Sequence, residues 1–196
     1  MKKTAIILGA TGLTGSILLE KLLKALALQL GNEVSYNELS RLIGINKGTV
    51  ESYIDLLCKS YVIFKLPSFS RNLRNEIKTN QKIYFYDTGV RNAIIGNFTP
   101  LNSRADTGAI WENFLISERL KKLSYGKKRI NQYFWRTKQQ QEIDYVEEAS
   151  GKISGYEFKW NPKAKIKIHK SFIEAYDSQI KVINTDNFRE LIGPII

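Results

Sequence analysis

The chain has 196 residues, of which 43% are hydrophobic and 25% are charged, as in an ordinary soluble globular protein. This length suits one large domain or two small ones. Lysine and arginine number 30 against 19 aspartates and glutamates, so the formal net charge is +11. Such an excess favours a polyanionic partner, because phosphate contacts release counterions. Nucleic acid is the first candidate for that partner, ahead of an anionic membrane surface.

The residue counts also exclude several kinds of site. Cys58 is the single cysteine and His169 the single histidine, so an internal disulfide, a cysteine metal site and a histidine cluster are all excluded. No apolar run is long enough to cross a membrane. We therefore expect no membrane partner and, by default, a cytoplasmic location, while the oligomeric state stays open.

The N-terminal residues have the pattern of a phosphate-binding turn. Residues 4–8 form a short apolar run typical of a buried strand, and the next segment carries Gly9, Gly12 and Gly15 before a helical stretch. This segment resembles the start of atypical short-chain dehydrogenases. A nicotinamide site needs further strands, which do not follow. We therefore expect no NAD binding, and we interpret residues 1–24 as a truncated dinucleotide-fold fragment, from a gene fusion or an error in the gene model.

The next region has the pattern of a helix-turn-helix. Leucines at helical spacing lead to a stop at Gly31, and a second helix is predicted over Tyr36–Ile43 with Ser35 as its N-cap residue. A tight turn at Gly44 separates it from a third helix over residues 47–60. Two helices joined by a short glycine-containing turn are typical of DNA-binding helix-turn-helix proteins.

Two predicted strands, at residues 61–66 and 82–86, complete a winged helix-turn-helix domain over residues 25–90. The polar, basic segment between them is typical of a wing that rests on a sugar-phosphate backbone. If the domain binds DNA, the predicted contacts come from the start of the third helix and from the wing: Asn46, Lys47, Thr49, Ser52, Arg71 and Arg74. A winged helix that serves only as a protein-protein module or as a rigid spacer is the alternative.

The most informative residues lie between 105 and 160. Glu112 is on a predicted amphipathic helix, and Asp144 is on a strand predicted over residues 141–146. A further predicted strand carries Glu157 and Lys159, which alternation places on one face. Three carboxylates and a lysine from separate elements match the PD-(D/E)xK pattern of metal-dependent nucleases. They predict a site in a restriction-endonuclease-like α/β domain with a mixed sheet, over residues 91–196.

The chemistry of such a site follows from its residue types. Asp144, Glu157 and Glu112 are candidate ligands for Mg²⁺, which takes oxygen ligands and lowers the pKa of a bound water. Lys159 is the candidate that orients the water or stabilises the charge that develops on phosphorus. Two hypotheses for the function stay open. One is a metal-dependent phosphodiesterase that acts on DNA, and the other is a catalytically inactive DNA-binding or regulatory module.

Residues 25–185 as a whole resemble the C-terminal region of many bacterial and archaeal AAA-type ATPases, a DUF4143-like region of unknown function. The residues that carry the resemblance occur in order along the chain: Leu39-Ser40, Thr49-Val50, Tyr53, residues 84–89, Gly108, residues 111–113, residues 133–136, residues 142–144 and Glu157-Phe158-Lys159. The resemblance implies a winged helix followed by a nuclease-like fold, and hence an α+β protein. No Gly-x-x-x-x-Gly-Lys-Ser/Thr loop occurs in the sequence, so we expect neither ATP binding nor ATP hydrolysis.

Overall fold

The computed structural model describes residues 12–70, 81–167 and 169–194, which form a mixed α+β fold. Their helices are α1 (Leu13–Leu28), α2 (Tyr36–Ile43), α3 (Lys47–Lys59), α4 (Thr88–Ile95), α5 (Thr107–Tyr125), α6 (Lys170–Tyr176) and α7 (Arg189–Ile192). Their strands are β1 (Ile63–Pro67), β2 (Gln81–Phe85), β3 (Asn131–Arg136), β4 (Glu142–Ala149), β5 (Lys152–Phe158) and β6 (Gln179–Ile183). A short 3-10 turn at Leu101–Ser103 precedes α5.

Helix α1 runs without a break from Leu13 to Leu28, so the predicted boundary after residue 24 falls inside a helix. Gly12 is its N-cap residue, and Gly15 lies in its first turn. The strand predicted at residues 4–8, together with Gly9, lies outside the described residues.

Helices α2 and α3 have the bounds that the sequence predicts, to within one residue. Both begin with a capped N-terminus. The Ser35 hydroxyl accepts a hydrogen bond from the Glu38 N–H at 3.4 Å, and the Asn46 side chain accepts one from the Thr49 N–H at 2.8 Å. Gly44 ends α2 with a φ of +80°, a left-handed conformation that favours glycine. The local sequence therefore accounts for this helix-turn-helix arrangement.

Strands β1 and β2 form a two-stranded antiparallel sheet directly after α3. Ile63 pairs with Phe85 at one end, and Pro67 pairs with Gln81 at the other. Residues 71–80, which include most of the predicted wing with Arg71 and Arg74, lie outside the described residues.

The second sheet has four strands in the order β3-β4-β5-β6. Strands β3, β4 and β5 are antiparallel neighbours, whereas β6 runs parallel to β5. A parallel pair needs a crossover connection, and here α6 lies in it. The sheet is therefore mixed, as the sequence predicts.

Strand β4 contains a β-bulge. Two of its residues, Asp144 and Tyr145, stand opposite the single residue Phe134 of β3, because the register shifts between the flanking pairs. Ile143 and Val146 consequently join the same apolar cluster although they are three residues apart. In an unbroken strand, residues with that spacing point to opposite faces. The alternation of β4 is thus reset at Asp144.

The main hydrophobic core joins both sheets. It includes side chains from α1, α2, α3, β1 and β2 and also from α5, the four-stranded sheet and α7. The buried Asn113 amide fastens α5 to β2, because it accepts from the Phe85 N–H at 2.8 Å and donates to the Phe85 carbonyl at 2.9 Å. A smaller cluster around Phe172 and Trp135 includes residues of α6 and the four-stranded sheet.

Three charged residues, Arg91, Arg104 and Asp106, form a network near the middle of the chain, called the arginine network. It links α4 to the segment that precedes α5. Arg91 and Arg104 place nitrogens 2.6 Å and 2.8 Å from the Asp106 carboxylate. Arg91 is buried, and it also donates to the Ala27 carbonyl of α1 at 3.0 Å. Hydrogen bonds from Arg104, with a further contribution from Arg91, lower the pKa of Asp106.

Helix α5 is the longest helix in the described residues, with 19 residues, and it carries charged side chains along its length. Neither α5 nor any other helix in that part of the chain combines the length and apolar character of a membrane span.

Candidate active site

Glu112 lies on α5, with its side chain turned towards β2 and 15% exposed. Tyr84 of β2 donates its hydroxyl proton to Glu112 Oε1, and Lys82 of the same strand donates to that oxygen at 3.1 Å. Lys82 and Tyr84 are alternate residues of β2 and so share one face. The sequence predicts Glu112 on an amphipathic helix, and the structure places it on α5.

Lys82 is the most deeply buried cation of this region, with 1% of its surface exposed. Its ammonium lies 2.5 Å from Glu142 Oε1 as well as 3.1 Å from Glu112 Oε1. Arg136 approaches the other oxygen of Glu142 at 3.4 Å. A buried ammonium is tolerated only when it is paired with anions and hydrogen-bonded. Lys82 therefore joins β2 to both α5 and β4.

Asp144 stands at the bulge of β4 and is tied to the end of β5. Its carboxylate accepts a hydrogen bond from the Phe158 backbone N–H at 2.8 Å. The residues on either side of Phe158 are Glu157 and Lys159, and Lys159 Nζ donates to Glu157 Oε2 at 3.2 Å. Glu157 is buried, whereas the Lys159 side chain is about one-third exposed.

These residues converge where β4 begins and β5 ends, against α5. Six side chains make up this carboxylate cluster: Lys82, Glu112, Glu142, Asp144, Glu157 and Lys159. It includes all four residues that the sequence predicts as catalytic.

The charges of the carboxylate cluster act on one another. Burial raises the pKa of Glu112 to about 7, with Lys82 opposing the shift and the charge of Asp144 adding to it. Burial and then the charge of Glu157 raise the pKa of Asp144 to about 6. Burial also raises the pKa of Glu157, and the charge of Glu112 adds to that shift while Lys159 opposes it. The four predicted residues thus share one electrostatic environment.

Lys82 and Tyr84 belong to the candidate site but were not among the residues predicted for it. Their contacts with Glu112 span 30 and 28 residues along the chain, so no local spacing of residues predicts these contacts. One signal was available. Lys82 directly precedes the unbroken apolar run Ile83-Tyr84-Phe85. A lysine in a strand that lacks a solvent-facing side needs a buried acidic partner, although the run does not identify that partner.

The predicted DNA-contacting residues of α3 lie together at its N-terminal end. Asn46, Lys47 and Ser52 are exposed, and Thr49 is half-buried. Each also has a local role or neighbour. Asn46 caps the helix, Lys47 lies 3.4 Å from Glu51, and the Ser52 hydroxyl donates to the Gly48 carbonyl at 2.9 Å. The structure brings these four positions together without assigning them a ligand.

The carboxylate cluster contains a candidate pair of ligands for a divalent cation. In the described parts of the chain, no three histidine, cysteine or acidic side chains are grouped so that they could hold a metal ion. Glu112 is engaged by Lys82 and Tyr84, which leaves Asp144 and Glu157 as the candidate pair. Their described hydrogen bonds use one oxygen of each carboxylate. Two carboxylates suit Mg²⁺, which completes its shell with water and substrate phosphate.

Two family models match this chain, and the boundary between their matches lies between the two sheets along the sequence. Residues 13–101 match the model described as a domain of unknown function, DUF8612. Residues 107–191 match the model described as a domain of unknown function, DUF4143. The DUF4143-like resemblance predicted from the sequence is therefore confirmed for the C-terminal half, which contains α5 and the four-stranded sheet.

Two curated proteins are similar to this chain over 131 residues at 30% identity. They are uncharacterized proteins of Mycobacterium tuberculosis and Mycobacterium bovis. The match covers 66% of this chain but only 29% of each relative, so the chain corresponds to a minor part of those longer proteins. No solved structure matches the chain.

Proposed function

We propose that this chain is a nucleic-acid-binding module whose C-terminal half has a PD-(D/E)xK nuclease-like fold and hydrolyses phosphodiester bonds with a divalent cation such as Mg²⁺. One observation carries the proposal. Glu112, Asp144, Glu157 and Lys159 come from a helix and two strands and converge at one end of a mixed sheet. Buried carboxylates that raise one another's pKa values are typical of functional sites.

Each residue of the proposed site has a distinct role. Asp144 and Glu157 would hold the cation, which supplies Lewis-acid activation of a phosphate and a more acidic water when bound. The Lys159 side chain is about one-third exposed, so its ammonium can reach a phosphate oxygen or the attacking water. Glu112 is held by Lys82 and Tyr84 and acts as a positioning residue that keeps negative charge beside Asp144.

The N-terminal half supports nucleic-acid binding. Helices α2 and α3 followed by an antiparallel strand pair have the element order of a winged helix-turn-helix. The start of α3 presents Asn46, Lys47, Thr49 and Ser52 in the position from which such domains read the major groove. The net charge of +11 favours phosphate contacts. The chain also resembles the C-terminal region of AAA-type ATPases. In proteins of that type, the corresponding region would act together with an ATPase domain.

The experiment is cleavage of supercoiled plasmid and of single-stranded DNA with Mg²⁺ or Mn²⁺, with an EDTA control. Asp144→Asn and Lys159→Met should each lower the cleavage rate by about 100-fold or more, because each removes a ligand or a charge from the transition state. Glu148→Gln is the matched control, since Glu148 is a carboxylate of β4 on the far side of the bulge. Cleavage that is equal in the wild type and both site variants would refute the proposal.

A second candidate function is favoured by a specific observation. The Lys82 ammonium already lies between Glu112 and Glu142 and compensates part of the negative charge. Carboxylates whose charge is partly compensated by a lysine of the same chain fit a non-catalytic DNA-docking or regulatory module. That candidate predicts salt-sensitive DNA binding with a steep loss of affinity between 50 and 200 mM salt, as expected for about six phosphate contacts or more, and no turnover with any metal.

A further inference from the structure

An aromatic cavity of about 360 Å³ lies beside the carboxylate cluster. Four aromatic side chains form much of its wall: Trp111 and Phe114 of α5, Trp160, and Phe188. Trp111 stacks on Phe114 and meets Trp160 and Phe188 edge to face, with ring centroids 5.3 to 5.6 Å apart. A cavity of this size and composition accommodates a small, flat ligand.

The polar groups of the aromatic cavity are few and uncharged. Thr88, Thr107 and Thr185 contribute to the lining, and the residues that line it within the described chain include no acidic or basic side chain. The indole nitrogen of Trp111 is buried and makes no hydrogen bond with any described residue. A buried donor without an acceptor costs free energy, which a ligand acceptor would recover.

The position of the cavity connects it with the carboxylate cluster. Trp111 immediately precedes Glu112 on α5, and Trp160 immediately follows Lys159 at the end of β5. The same two segments therefore serve both sites. Trp160 is 37% exposed, and Leu101 at the rim is exposed to the same degree, so the cavity has a solvent-facing side.

We propose that the aromatic cavity is a nucleobase-binding site. The base would stack against the rings, with Trp160 as its solvent-side neighbour, and a ring nitrogen or carbonyl of the base would accept a hydrogen bond from Trp111. The source of the base is either a free nucleoside or a nucleic-acid strand whose phosphates lie towards Lys159. The strand form rests on the proposed function, whereas the free-nucleoside form does not.

The test is equilibrium binding of adenosine and of a fluorescent single-stranded oligodeoxyadenylate to the full chain in EDTA. Trp160→Ala should weaken binding roughly tenfold, because the base loses an aromatic ring on which it stacks. Trp111→Phe keeps the ring but removes the N–H, and should weaken binding about fivefold. Trp135→Phe is the matched control, since the Trp135 N–H donates to Tyr176 at 3.2 Å in the other apolar cluster, and binding should not change.

Every outcome of this experiment bears on the proposal. Weaker binding of both ligands by the cavity variants assigns the site to free and strand-borne bases, and weaker binding of the oligonucleotide alone assigns it to a strand. Affinities equal to the wild type in both cavity variants, or no binding of either ligand by the wild type, would overturn the proposal.

Two further measurements make the result independent of variant folding and of hydrolysis. Bound adenosine should protect Trp160 from oxidation by N-bromosuccinimide, since Trp111 and Trp135 are buried and Trp160 is not. Lack of protection at saturating adenosine would contradict the assignment. Adenosine should bind the wild type equally well in EDTA and in Mg²⁺, so a failure of the proposed hydrolysis would leave base binding intact.

Discussion

The arginine network and the carboxylate cluster both enclose charged groups, but their charges are balanced in opposite ways. In the arginine network, Arg91 and Arg104 share the single carboxylate of Asp106 and lower its pKa. In the carboxylate cluster, four acidic side chains face two lysines, and the pKa values of Glu112 and Asp144 rise to about 7 and about 6. One network contains excess cations, and the other contains excess anions.

The difference separates a structural network from a candidate functional one. The carboxylate of Asp106 is satisfied by the protein, and its ionised form is favoured in the folded state. The excess negative charge of the carboxylate cluster is unfavourable when the site is ionised, so an added cation or a bound proton relieves it. The four predictions that follow test this contrast by changes in the free energy of unfolding.

The largest expected effect comes from Lys82→Met. The variant leaves Glu112 and Glu142 without their ammonium partner, and removal of one partner from a buried pair costs about 3–5 kcal/mol. Urea denaturation at pH 8 measures the loss. Addition of Glu112→Gln to the variant should restore part of the stability, because the unpaired charge is gone. A loss below about 1 kcal/mol would show that the cluster does not depend on Lys82.

Asp106→Ala should lower the free energy of unfolding by about 2–3 kcal/mol, because it leaves the buried Arg91 guanidinium without its anion. The value is smaller than for Lys82→Met because Asp106 is partly exposed and water can replace it. Glu20→Ala is the matched control, since Glu20 is an exposed carboxylate on α1, and its effect should stay within about 0.5 kcal/mol. Equal losses of stability in both variants would show that Asp106 does not stabilise the fold through Arg91.

The two networks should give opposite pH dependences. The folded-state pKa values of Glu112 and Asp144 are raised, so the native state binds more protons than the unfolded state and stability falls as pH rises from about 4 to 7. The pKa of Asp106 is lowered, so its contribution is present above pH 4 and is lost in acid. Denaturation from pH 5 to 8 should show a loss on the order of 2 kcal/mol, reduced in Glu112→Gln. A wild-type profile that is flat over this range contradicts the assignment.

Tyr84→Phe has the smallest expected effect. It removes one hydrogen bond to Glu112 and should cost about 1 kcal/mol. Because that hydrogen bond lowers the pKa of Glu112, the pH-dependent fall in stability should move to higher pH in the variant. Tyr36→Phe removes a buried hydroxyl that makes no hydrogen bond to Glu112, and it should leave the midpoint of the pH profile unchanged. A shift of equal size in both variants would contradict the role of Tyr84.

Local sequence signals predicted most of the helices and strands. Ser35 and Asn46 cap the helices of the helix-turn-helix, and Asp87 caps α4 through the Val90 N–H at 2.9 Å. Such caps act within one helical turn, so they can be read from neighbouring residues. The grouping of Glu112 with Asp144 was also predicted, because it followed from a pattern of residue types in order.

Two features of the candidate site could not be predicted in this way. The partners of Lys82 are 30 and 60 residues away, and only the packing of β2 between α5 and β4 brings them together. The bulge of β4 depends on its register with β3, since Phe134 faces two residues instead of one. Strict alternation describes a regular ladder, and a register shift is a property of the strand pair and not of either strand alone.

The bulge means that Asp144 is an inserted residue within β4. Without it, Ile143 and Val146 would be two residues apart, as in a regular strand, and both would still face the smaller apolar cluster. Tyr145 would lie between them and face the main core. At this position the apolar residues of β4 therefore specify the sheet, whereas Asp144 supplies only the proposed chemistry. A homologous strand one residue shorter would fold around the same interior and lack the acid.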